Sequence, residues 1–80
     1  MEEITVFIRF NNVKNECKTT PDCILGDLLE QLSDRGILHG SNFVVVSGNS
    51  EVALDQSKSL EDNGIHDMDV LDVANPGKAG

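Results

Sequence analysis

Apolar and polar residues alternate near the start of the chain. Ile4, Val6, Ile8 and Phe10 take one parity, and Thr5, Phe7 and Arg9 take the other. A period of two predicts a β-strand with one buried face. Asn11-Asn12 follows, and asparagine tolerates the positive φ of a two-residue hairpin turn. Val13 to Thr19 alternates again, with Val13 and Cys17 opposed to Lys14, Glu16 and Lys18. The chain is therefore expected to open with a β-hairpin.

The period then changes. Leu25, Leu28, Leu29 and Leu32 recur at i, i+3, i+4 and i+7, which predicts an amphipathic helix with one apolar stripe. Thr20-Pro21-Asp22 reads as its start. Threonine caps free amides, proline suits the first helical position, and aspartate favours the positive end of the dipole. Gly36 reads as the C-cap, with Ile37 folding back onto the last turn. Gly26 inside the helix costs about 1 kcal/mol relative to alanine, which suggests close approach to a strand.

Further along, Phe43-Val44-Val45-Val46 is apolar on both faces and reads as a third strand. Gly48-Asn49 turns it, and Val52-Ala53-Leu54 reads as a short fourth strand. A polar loop from Asp55 to Ser59 leads to a tight helical turn, Leu60 to Ile65, closed by Gly64. His66 to Asp69 turns again, and Val70 to Ala74 alternates as the last strand. A hairpin, one amphipathic helix and further strands predict an α+β fold. Its mixed sheet has four to five strands, with the one main helix packed on one face. Residues 1–74 read as the domain and residues 75–80 as a flexible tail.

Composition narrows the function. Eighty residues make one domain, able to bury only a little over ~60% of its unfolded surface. A net charge of -8 argues against nucleic acid or an anionic membrane as partner, because both need clustered cations. The six basic residues read as scattered, so partners are expected to be basic or mixed-charge protein surfaces. No charged leader with an apolar stretch precedes the first strand, and no apolar run approaches ~18 residues. A cytoplasmic monomer is expected. Cys17 and Cys23 are expected to be thiols there. Their spacing fits no metal motif, and His39 and His66 fall in loop-like segments, so no metal or cofactor is expected. No nucleophile sits with helpers at motif spacing and no glycine-rich phosphate loop is present, so the chain does not read as an enzyme. Cys23, assigned to the first helical turn where the dipole lowers a thiol pKa, is the candidate reactive thiol.

Ser59-Leu60-Glu61-Asp62-Asn63-Gly64-Ile65, followed by a turn and the strand Val70 to Val73, resembles the matching stretch of the ubiquitin-like β-grasp superfamily. Phe7 between inward Val6 and Ile8 is similar to the first strand of that fold. Gly26-Asp27-Leu28-Leu29-Glu30-Gln31-Leu32 and the turn Asp67-Met68-Asp69 look like those of the sulfur carriers of thiamine and molybdopterin synthesis. The ubiquitin-like accessory proteins of type VII secretion loci share the turn and last-strand pattern.

The resemblance implies a small protein modifier or adaptor. Gly80 would be the carboxylate activated for attachment, with Ala79, Lys78 and Gly77 as the tail that threads an activating enzyme. Glycine has no Cβ to block such a passage. Val45, Ala74, Phe43, Phe7 and Asp72, with Val70 nearby, would form the protein-binding open face of the sheet. Lys58 would be the candidate acceptor lysine. Two alternatives follow from the same resemblance: a non-covalent binding module with an inert tail, and a sulfur carrier using a C-terminal thiocarboxylate. The chain departs from the pattern at two points. It has Ala79-Gly80 where modifiers carry a glycine pair, and Asp72 where ubiquitin has a histidine.

Overall fold

The computed structural model describes residues 2–40, 42–48 and 52–75. Strands β1 (Ile4–Phe10) and β2 (Val13–Thr19) form the expected hairpin. Their antiparallel register runs from Ile4 opposite Thr19 to Phe10 opposite Val13. Asn11 and Asn12 sit at φ 54° and 65°. Two successive positive φ values match the right-handed twist of the flanking strands.

Helix α1 spans Leu25–Asp34, followed by β3 (Val44–Ser47) and β4 (Asp69–Ala74). The sheet order is β2-β1-β4-β3. β4 runs parallel to β1 and antiparallel to β3, so the sheet is mixed. Leu25, Leu28, Leu29 and Leu32 point from α1 into a core shared with Ile4, Val6, Ile8 and Leu71. Each such side chain contributes about 1.5–3 kcal/mol on leaving water.

The helix ends as its sequence suggests. Gly36 lies at φ 80°. Its N–H donates to Ser33 O at 3.1 Å, and Ile37 N–H donates to Leu32 O at 2.9 Å. This paired arrangement closes the last carbonyls. The start differs from expectation. Thr20, Pro21 and Asp22 form a turn in which Cys23 N–H donates to Thr20 O at 3.1 Å. The helix begins only at Leu25, after extended Ile24, with no side-chain cap. The free amides of the first turn find tertiary acceptors instead. Leu25 N–H donates to Lys58 O at 3.0 Å and Gly26 N–H to Gln56 O at 2.9 Å. Orphan donors need a partner, and it need not be a capping side chain.

Gly26 is explained by the same contact. A Cβ there would stand 3.0 Å from Gln56 O, so the close approach is to a loop rather than a strand. That loop is held by Asp55, whose carboxylate accepts from Ser57 N–H at 2.9 Å and Ser57 Oγ at 2.6 Å. These bonds lower the Asp55 pKa below its ordinary value. The expected strand Val52-Ala53-Leu54 is reduced to a single bridge between Ala53 and Val46. Three residues next to a polar loop are too few to propagate a ladder.

Leu60 to Ile65 forms the expected tight turn. Ile65 N–H donates to Leu60 O at 2.9 Å, and Gly64 lies at φ 78°. Met68 also takes a positive φ, 72°, as its N–H reaches Thr5 O across the start of the parallel β1–β4 pair. Among the described residues no helix is long and apolar enough to cross a membrane.

Candidate protein-binding face

The pleat sends alternate side chains away from the helix. By the strand registers, Lys14, Arg9, Asp72 and Val46 form one row across the open face. Glu16, Phe7 and Val70 form the next row, and Ala74 stands beside Val44. Directly opposed side chains on one face lie within contact range.

Polar contacts organise this surface. Arg9 Nε donates to Asp72 Oδ1 at the centre of the face. Lys14 Nζ lies 5.3 Å from the centroid of the Phe7 ring, an attraction worth about 0.5–1 kcal/mol at an exposed site. Lys18 Nζ lies 3.6 Å from Glu16 Oε2 and 3.5 Å from Thr5 Oγ1. The Arg9–Asp72 pair thus separates two apolar patches. One comprises Val44, Val46 and Ala74, the other Phe7 and Val70. A shallow groove of about 270 Å³ adjoins the second patch and is lined by Arg9, Gly48, Met68, Asp69 and Val70. Asp69 turns its carboxylate toward the loop, accepting from His66 N–H at 2.8 Å.

The structure places the expected face residues unequally. Phe7, Asp72, Ala74 and Val70 share the open face. Val45 does not, because it is fully buried, at 0% exposure, opposite Val73 on the core side. Its neighbours Val44 and Val46 take the outward positions. A run of apolar residues carries no alternation, so its parity cannot be read until the partner strand is known. Phe43 is also directed to the core side. It is partly buried against the core, meets Phe10 edge-to-face at 5.9 Å, and its carbonyl accepts from Gln56 Nε2 at 2.6 Å.

The cations are not scattered. Arg9, Lys14 and Lys18, three of the six, stand on this one face of the hairpin. The alternation of the first two strands already contained that signal. Val44, Val46 and Arg9 are the face residues that sequence reasoning missed. The parity of Asp72 and Ala74 would have identified the two valines once β3 was paired with the last strand.

The tail residues Gly77, Lys78, Ala79 and Gly80 lie outside the described residues. Asn75, the last described residue, donates from Nδ2 to His39 O at 3.4 Å. It packs where a Cβ on Gly40 would stand 2.2 Å from that same nitrogen. Lys58 is exposed on its loop, with its backbone N–H held by Asp55 O at 3.2 Å. Cys23 precedes the helix rather than opening it, which removes the dipole argument for a reactive thiol. Cys17 is buried, and burial pushes its thiol pKa up. Among the described residues no three metal-ligating side chains gather.

Known protein families give no match to the chain, and neither do curated proteins. Solved structures do. The ubiquitin of Caldiarchaeum subterraneum superposes with a TM-score of 0.76 at 16% identity, over 99% of this chain and 100% of that one. A ubiquitin-like domain from Arabidopsis thaliana superposes with a TM-score of 0.77 at 15% identity, over 91% of this chain and 77% of that one. The structure described as ATBAG1 in complex with HSP70 gives 0.76 at 19% identity over 94% of this chain, which spans 41% of that longer chain. With one helix packed on a mixed four-stranded sheet and these structures as neighbours, the chain has the ubiquitin-like β-grasp fold.

Proposed function

We propose that this chain is a small ubiquitin-like protein modifier or adaptor, acting by binding other proteins rather than by catalysis. The observation that carries the reading is the open sheet face. On the side away from the helix, Val44 and Ala74 are exposed and Val46, Phe7 and Val70 are half-buried. Clustered exposed apolar side chains mark interaction surfaces. Two structural neighbours support protein partners in general, one described in complex with HSP70 and one as a molecular mimic of SUMO.

In the modifier reading Gly80 is the activated carboxylate, and Ala79, Lys78 and Gly77 are the threading tail. Lys58, exposed on a loop, is the acceptor for a second copy. The additional methyl group of Ala79 supports the alternative in which the face works non-covalently and the tail is inert. The discriminating experiment compares N-terminally tagged protein with and without Gly80 in its native host, by denaturing, reducing blot and mass spectrometry. The modifier reading expects heavier species that vanish when Gly80 is removed. Only the free tagged chain in both samples overturns it and leaves the adaptor reading. A gain of mass by exchange of one oxygen for sulfur at the C-terminus would instead identify a sulfur carrier.

A further inference from the structure

The outer edge of β2 is a seven-residue strand with no strand partner among the described residues. Such an edge is a template for further pairing. Beside it lies a cleft of about 340 Å³, lined by Phe10, Val13, Asn15, Ile37 and others. Val13, at its mouth, is 56% exposed. On the opposite face the same strand carries Lys14, Glu16 and Lys18 at every second position.

That charge pattern is selective for pairing with itself. In an antiparallel pair, directly opposed residues share a face. If two copies of β2 pair about Glu16, Lys14 meets Lys18 and Glu16 meets Glu16, which is repulsive. A shift of one position inverts the faces. Pairing about Asn15 places Lys14 of each copy opposite Glu16 of the other, twice over, and Val13 opposite Cys17 on the core side. Pairing about Cys17 also opposes Glu16 to Lys18 but leaves Val13 and its cleft uncovered. Only the Asn15 register satisfies both the charges and the exposed valine.

We propose that β2 is a self-association edge. Two copies join antiparallel about Asn15, so that their two four-stranded sheets become one continuous sheet. Lys14–Glu16 pairs lock the open side, and on the core side each Val13 is covered by the other copy's strand opposite Cys17. The lysines that blunt the edge against other registers select this one. The interface is small, which makes the dimer weak and reversible. It leaves both open faces accessible on one side of the joined sheet, so a partner with two docking segments would gain avidity.

Sedimentation velocity over a micromolar-to-millimolar series tests this, in physiological salt that screens the net repulsion beyond ~8 Å. The expected result is a concentration-dependent shift from monomer to dimer. Lys14→Glu sets two like-charge pairs in the interface and weakens it roughly tenfold. The double variant Lys14→Glu/Glu16→Lys restores it. All these side chains are exposed, so thermal unfolding serves as a control that each variant folds. A monomer throughout the series overturns the proposal. So does a dimer indifferent to Lys14→Glu, or one that the double variant fails to rescue.

Discussion

Val44, Val45 and Val46 are identical residues in succession, yet they belong to different regions of the molecule. Val45 is fully buried opposite Val73, among the side chains that α1 covers. Val44 and Val46 face away from the helix, beside Ala74 and Asp72. The difference owes nothing to residue type. It comes from pairing with β4, whose Leu71 and Val73 are buried and whose Asp72 is not. The core face of the sheet holds the fold together. The open face is the side that α1 does not cover.

The comparison can be broken most severely at its buried member. Val45→Asp places an unpaired carboxylate in the core, which costs upward of about 4 kcal/mol. An 80-residue domain holds on the order of 4–12 kcal/mol in total. Urea titration followed by circular dichroism is expected to find the variant largely unfolded. A midpoint near wild type would mean that Val45 is not on the core side.

Gly26→Ala probes the core side more gently. The new Cβ meets Gln56 O, the same carbonyl that accepts the Gly26 N–H. The loop must give way and that bond lengthens. A loss of about 1 kcal/mol is expected despite the better helix propensity of alanine. A stabilised variant would show that the Asp55–Ser57 loop yields without cost.

On the open side the expected signs reverse. Met68 is 59% exposed and held at φ 72°, a conformation that strains any residue with a Cβ. Met68→Gly should raise stability by about 0.5 kcal/mol, the relief of strain exceeding the entropy that glycine adds to the unfolded chain. Thermal unfolding of the two proteins measures it, and a lowered midpoint counts against the strain.

Val46→Lys is the smallest perturbation of the fold and the sharpest of the function. It lies opposite Asp72 on the open face, so stability should change by less than about 0.5 kcal/mol. Capture of partners by the open face should nevertheless be lost. Retained capture with unchanged stability would move the binding surface elsewhere, and Phe7→Ala would then test the second apolar patch.

The legibility of this molecule follows the range of the interactions involved. The hairpin was readable because strict alternation and Asn11-Asn12 are local signals. The leucine stripe of α1 and the cap at Gly36 were readable for the same reason. The helix start was not. Thr20-Pro21-Asp22 has the composition of a cap, but carbonyls far downstream, at Gln56 and Lys58, accept the first amides instead. The candidate site was half legible. Phe7, Asp72, Ala74 and Val70 sit in alternating strands and could be assigned to a face. Val45 and Phe43 sit in a uniform apolar run and could not.

By itself the sequence determined the elements whose pattern is periodic: two opening strands, one amphipathic helix, a final strand and the glycine-closed turns between them. Those follow from side chains a few positions apart. Only the tertiary structure decided which valine is core and which amide needs no cap. The first depends on register between β3 and β4, which are distant in the chain, and the second on a distant loop packed against the helix start. Register is set by the packing of the whole sheet against α1, which no local window contains.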